Sequence, residues 1–374
     1  MGSDRSGVTG RFTWPVRRRT PPGPEGTAED IAVQDLAERE AAEQRLPPPE
    51  PEPMIVPPRF NLAAFRLAAL GLALVLALGL ALVKLFVGGP PSVADLREQA
   101  GVESWSELPI GVKDDQPGTA LRNSSGQWTG FDVDIAYMVA EDLGFRRSEV
   151  KFYAIESEDR PRMQATTPKG ARVPVKLVIA SFSINAERKA APGVRFSAPY
   201  LYTEQSVLTL RKDKHPVVST MADLAGERVC SISSSTSVDA PKKENAVVVP
   251  RNRISQCIGD LRAGRVDAVT TDAAILAGYK AQSRDEFDHW DVGYPANETW
   301  GINVGDNPAL QKLVDLTLYR SYTDPKDTRW EEAYDRNFQS EVNANKGAPI
   351  AVAEQPRVVR PDIREQPWED VFGE

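Results

Sequence analysis

Two cysteines and two histidines are all that this 374-residue chain offers for thiol or imidazole chemistry. Two cysteines cannot supply the four thiolates of a structural zinc site. His215 and His289 have no ligand-like spacing, so no metal is expected. No CxxC is present, which argues against a redox-active pair. Charged residues carry more. Arg188 ends the run Ser181-Phe-Ser183-Ile-Asn-Ala-Glu-Arg188, and a planar guanidinium matches the two oxygens of a carboxylate. Asp272 follows the apolar stretch Ala268-Val-Thr-Thr271. That puts a carboxylate at the C-terminal end of a strand, where it either faces a cleft or caps the helix expected from Ala273. Such residues serve the pairing of opposite charges.

The elements that must hold them lie between about 95 and 345. Short apolar runs alternate there with amphipathic stretches. Strands are expected at Ile110–Lys113, Val150–Ala154, Val175–Ala180, Ser206–Arg211, Arg228–Ile232 and Ala268–Thr271. Helices are expected at Val133–Leu143, Met221–Leu224, Ile254–Ala263 and Ala273–Gln282. Strands alternating with helices predict α/β with mostly parallel sheets.

The flanks differ. Leu67 to Val83 contains no charged residue, and the apolar run extends past Lys84 to Val87. Those 21 residues can cross a bilayer as a helix. A buried helix of a soluble domain would need a polar face, and a cleaved signal peptide a short leader. The reading is an uncleaved signal anchor. Arg17, Arg18, Arg19, Arg59 and Arg66 precede it and point the N-terminal side to the cytoplasm. Residues 1–58 hold 11 of the 30 prolines and cannot bury enough surface to fold alone. The net charge of −8 argues against a nucleic-acid partner.

The folded part resembles the amino-acid-binding solute-binding proteins of the polar amino acid family. It is most similar to the actinobacterial glutamate-binding proteins of ABC transporters. The resemblance rests on Ile110-Gly-Val-Lys-Asp-Asp-Gln-Pro-Gly118, Gly130-Phe-Asp-Val-Asp-Ile-Ala136, Val178-Ile-Ala-Ser-Phe-Ser-Ile-Asn-Ala-Glu-Arg188 and Phe196-Ser-Ala-Pro-Tyr200. It continues through Val266-Asp-Ala-Val-Thr-Thr-Asp272 to Tyr279. It implies a two-lobed type II periplasmic-binding fold with two crossover hinge strands, preceded here by one transmembrane helix. The expected division is a disordered cytoplasmic tail (1–60), the anchor (61–88) and a linker (89–103). Lobe one follows (104–208 plus 295–342), then lobe two (209–294) and a disordered C-terminal tail (343–374).

The resemblance implies ligand chemistry too. A buried amino acid needs a partner for each of its charges. Arg188 would hold the α-carboxylate, with Ser181 and Ser183 beside it. Asp272 would hold the α-ammonium. Ser235 and Thr236 match the turn before a lobe-two helix, whose free amides attract a carboxylate. Lys113 and Arg160 favour a negatively charged side chain, hence glutamate or aspartate over glutamine or asparagine. Cys230 and Cys257 match a cysteine pair of similar proteins and imply a disulfide outside the cytoplasm. No cofactor is implied. The partner would be an ABC permease, or a membrane sensor, since similar proteins are linked to a serine/threonine kinase pathway. The long N-terminal tail favours sensing. A rival reading is an enzyme of the same fold that dehydrates cyclic acids; the Arg188 and Asp272 pair argues against it.

Overall fold

The structure is a computed structural model that describes residues 62–86, 89–293, 298–344 and 354–364. The tail 1–60 lies outside the described residues. A continuous helix spans Leu62–Phe86. Its segment Leu62–Ala81 has a mean hydropathy of 2.2, and is long and apolar enough to cross a membrane.

Two large sheets organise the rest, beside a small three-stranded one of Asp115–Gln116, Ala120–Arg122 and Trp128–Thr129. The seven-stranded sheet runs, edge to edge, through Arg172–Pro174, Gln164–Thr166, Val150–Ala154, Leu108–Val112, Leu177–Val178, Glu298–Asn303 and Phe196–Thr203. Its centre is parallel, with Leu108–Val112 between Val150–Ala154 and Leu177–Val178. Glu298–Asn303 pairs antiparallel on both sides. The five-stranded sheet runs through Val247–Arg251, Arg228–Ile232, Ala268–Asp272, Gln205–Leu210 and Phe287–Asp291. Gln205–Leu210 is antiparallel to both of its neighbours. The sheets are therefore mixed, where mostly parallel ones were expected. The antiparallel pairs come from the strands that cross between lobes and from the edge strands Gln164–Thr166 and Arg172–Pro174; Phe196–Thr203 and Glu298–Asn303 had not been foreseen.

The two crossings define the lobes. The chain leaves the first sheet at Thr203 and enters the second at Gln205. It leaves again after Asp291 and resumes in the first at Glu298. Lobe two therefore begins at Gln205, where a start at 209 was expected. The reason is register: Gln205 already pairs with Asp272, and Ser206 with Thr271.

Two further boundaries move. The segment 89–103, expected as a linker, contains the helix Val93–Ala100. Ser92 and Asp95 form a reciprocal capping box at its start. Leu96 and Ala100 are buried, and the helix packs on Pro308–Thr323. The C-terminal segment, expected as a tail, is ordered over residues 354–364. Val358 and Ile363 join the core, Gln355 donates to the Leu318 carbonyl at 3.1 Å, and the Arg364 amide donates to the Pro91 carbonyl at 3.0 Å. Proline-rich chain can bury isolated apolar residues against a preformed helix without forming an element of its own.

Cys230, on Arg228–Ile232, and Cys257, on Ile254–Arg262, form a disulfide with Cα atoms 5.4 Å apart.

Candidate ligand-binding cleft

Arg188 sits on the short helix Ala186–Ala190. Asn185 caps that helix, its side chain accepting from the Arg188 amide at 2.8 Å. The guanidinium donates to the Ser183 carbonyl at 2.8 Å and to the Ser234 carbonyl of lobe two at 2.9 Å. It lies 4.9 Å from the ring centre of Phe182. Arg160 follows the 3-10 turn Ser157–Asp159 and is 5% exposed. Its Nε donates to the Ser157 carbonyl at 3.0 Å. Its Nη1 donates to the carbonyls of Ala180 and Ser181 at 3.1 and 2.8 Å. It lies 4.6 Å from the same Phe182 ring. Burial, then the charge of Arg188, lowers its pKa to about 9. Burial also lowers that of Arg188. Two desolvated cations beside one ring favour an anion between them.

Asp272 ends the strand Ala268–Asp272 and is 3% exposed. Its Oδ2 accepts from the Trp300 indole at 2.6 Å, and its Oδ1 from the Ser237 hydroxyl at 3.3 Å. Its side chain does not cap the helix Ala273–Gln282. Instead the Ala273 and Ala274 amides donate to the Glu204 carbonyl and the Thr203 hydroxyl. The hinge thus takes over the capping. Burial, then Glu298, raises the Asp272 carboxyl to about 7. A cation arriving there would offset that cost.

Ser235 caps the turn Thr236–Val238, accepting from the Ser237 amide at 3.1 Å. The Thr236 hydroxyl is enclosed and has no hydrogen-bond partner among the described residues, so it is open to a ligand oxygen or nitrogen. Ser181 takes the left-handed conformation, φ 48°. Asp132 holds it there by accepting from its amide at 2.9 Å and its hydroxyl at 3.3 Å. That hydroxyl also donates to Gln116 at 2.8 Å. Ser183 contributes its carbonyl to Arg188.

Arg160, Ser181, Ser235 and Asp272, with Gln116 and Ser157, wall a narrow hollow of only about 10 Å3. A wider cleft of about 540 Å3 shares Ser157, Arg160 and Ser235 with it and adds Arg188 and Thr236. Another hollow of about 570 Å3, on lobe one beside Phe196 and Asp315, holds none of the expected residues.

Lys113 departs from expectation. Its ammonium is 1% exposed and lines neither cavity. It lies 3.3 Å from the Ser157 hydroxyl and 3.8 Å from Glu156. Burial lowers its pKa, while Asp115 and Glu156 resist that shift. A carboxylate on its own lobe has drawn it behind the cavity wall. Sequence reasoning missed Gln116, Ser157, Ser237 and Trp300. Ser157 stands three residues before Arg160, and that spacing was a signal available for it. Nothing local marked Trp300.

Residues 108–339 match the family of bacterial extracellular solute-binding proteins, family 3. The chain belongs to that family. The glutamate-binding protein GluB of Corynebacterium efficiens is 33% identical over 241 residues, which cover 60% of this chain and 77% of that protein. The ABC transporter glutamine-binding protein GlnH of Bacillus subtilis is 29% identical over 241 residues, covering 63% of this chain and 82% of its own. Among solved structures, an ancestral arginine-binding protein bound to glutamine aligns with a TM-score of 0.53 and 26% identity. That alignment covers 62% of this chain and 98% of the other. Within this family 3 fold the cleft lies where the two lobes face one another. Its polar groups come from both: Arg160 and Arg188 from lobe one, Ser235, Thr236 and Asp272 from lobe two.

Proposed function

We propose that this family 3 protein is a membrane-anchored extracellular receptor for an acidic amino acid, glutamate or aspartate. The carrying observation is the charge set of the cleft: the buried Arg160, the half-buried Arg188 and the buried carboxylate of Asp272 around adjoining cavities. Arg188 pairs the α-carboxylate and Asp272 the α-ammonium. Arg160 is left for a side-chain carboxylate. Of its five N–H donors, Nε and Nη1 are engaged with carbonyls, which leaves Nη2 to a ligand oxygen. Ser181, Ser235 and Thr236 complete the polar wall. The similarity to GluB agrees with this reading.

Glutamine is the second reading. It is favoured by the place of Lys113, whose charge is answered by Glu156 and not by the cavity. Calorimetry on the full-length protein in detergent decides between them. Glutamate or aspartate is expected to bind at least about tenfold tighter than glutamine, about 1.4 kcal/mol. Tighter glutamine binding overturns the acidic assignment.

The apolar helix Leu62–Phe86 would tether the receptor, with the arginines that precede it on the cytoplasmic side. Ligand-driven closure would then be read by a membrane partner, either an ABC permease or a sensor linked to a serine/threonine kinase pathway. Co-purification of a permease and its ATPase supports uptake. A membrane partner that is not a transporter supports sensing, the use that the long N-terminal segment favours.

A further inference from the structure

Lobe two grips the turn that follows the first strand of lobe one. Arg253, which precedes helix Ile254–Arg262, reaches two carboxylates there and a third, Glu156, just after the strand Val150–Ala154. Its Nη1 donates to Glu156 at 3.0 Å, its Nη2 donates to Asp114, and its Nε lies 3.7 Å from Asp115. The Ser255 amide donates to Asp115 Oδ2 at 3.1 Å, and the Tyr279 hydroxyl to the Asp115 carbonyl. On the next helix of lobe two, Gly278 meets Pro117. A Cβ at 278 would stand 1.8 Å from the Pro117 carbonyl oxygen. Gly278 is not in the left-handed region, so its own helix would accept alanine and even favour it. The approach of lobe one is what demands glycine. None of these side chains lines the ligand cavities.

We propose that the segment Asp114–Pro117 is the closing seat for lobe two, with Arg253 as its ionic latch and Gly278 as its point of closest approach. The inference rests on the reading of the cleft as an amino-acid site that closes by a hinge. When the lobes part, Arg253 withdraws from three carboxylates, and Lys113 alone remains beside Glu156. Carboxylates this close repel one another without a shared cation. The latch therefore biases the hinge toward closure. Apparent affinity scales with the closed fraction, so it is set partly outside the cavity.

The test uses the full-length chain in detergent and two variants, Arg253→Gln and Gly278→Ala. Calorimetry with L-glutamate, L-aspartate and L-glutamine is paired with hydrogen exchange over 114–117 and 253–256. Arg253→Gln is expected to weaken binding about five- to tenfold through faster release, with the ligand-free melting temperature unchanged. Gly278→Ala is expected to weaken it further. Exchange in both segments should rise in each variant. Wild-type affinity in either folded variant overturns the proposal. Should the alanine variant fail to fold, Arg253→Gln alone decides. If the wild type binds none of the three amino acids, the reading of the cleft fails, and the latch is judged by exchange: unchanged rates in Arg253→Gln overturn it as well.

Discussion

Trp300 and Asp272 are joined across the hinge: the indole N–H of one lobe donates to the carboxylate of the other at 2.6 Å. Trp300 sits on Glu298–Asn303, the strand by which the chain returns to lobe one, and is fully buried. This bond orients the carboxylate assigned to the ligand's ammonium and favours its charged form. Trp300→Phe removes the donor and keeps most of the ring. A lost hydrogen bond to a charged group is worth about 1.5–3 kcal/mol, so affinity should fall by about tenfold or more. The pH at which affinity halves should move upward. Calorimetry across a pH series reads both, and an unmoved midpoint would detach Trp300 from the role of Asp272.

The pH dependence of the wild type follows from the same carboxyl. Burial, with Glu298, raises it to about 7. Below that pH the ligand-free site holds a neutral acid, and above it a carboxylate. An ammonium requires the carboxylate, so binding must expel a proton at low pH. Affinity is therefore full above about pH 8 and falls as pH drops through 7, by up to about tenfold per unit. Calorimetry at pH 6 in buffers of different ionisation enthalpy should detect the released proton. Flat affinity between pH 5 and 8 would remove Asp272 from the ammonium role.

Arg188→Lys keeps the charge and loses the fork. Arg188 already gives one donor to Ser183 and one to Ser234, and a lysine cannot hold both carbonyls and a carboxylate. Affinity for every amino acid should fall at least about thirtyfold, about 2 kcal/mol. Equal affinity in the lysine variant would assign the α-carboxylate elsewhere.

Lys113 separates selectivity from stability. Its partners are Ser157 and Glu156, and Arg253 also serves Glu156. Lys113→Met should leave the ratio of glutamate to glutamine affinity within about twofold, roughly 0.4 kcal/mol. Lys113→Glu should instead destabilise the fold, because it buries a second carboxylate beside Glu156. A tenfold fall in that ratio for the methionine variant would restore Lys113 to the site.

Removing the disulfide tests lobe two alone. Cys230 and Cys257 are 27 positions apart. Replacing both with serine should cost about 2–5 kcal/mol in urea unfolding. Reductant should raise the wild-type mass by the two hydrogens of the opened bridge. No mass change would rule out the bridge.

The sequence was legible where a pattern and its burial coincide. Val150–Ala154, Arg228–Ile232 and the helix Ala273–Gln282 have the expected bounds, since each is an uninterrupted run between turn residues. Phe196–Thr203 was not read as a strand because Pro199 interrupts it. It lies at the sheet edge, where proline is tolerated. Arg188 and Asp272 were singled out through motif and Arg160 through resemblance, and the structure places all three along adjoining hollows. Lys113 was misplaced because its end of a strand predicted the cleft, while Glu156, far along the chain, decides which way its charge is answered. Arg253 gave no local sign at all. Its partners Asp114 and Glu156 lie 139 and 97 positions away.

The strap at residues 354–364 has a mechanical consequence. Arg364 pairs with Ser92, so the chain enters and leaves lobe one at the same place. Lobe two is reached only through the two hinge strands and carries neither end of the folded part. Whatever load reaches the molecule through either end falls on lobe one. Lobe two hangs from lobe one alone, and its position is set by the two connecting strands and by what it touches across the cleft.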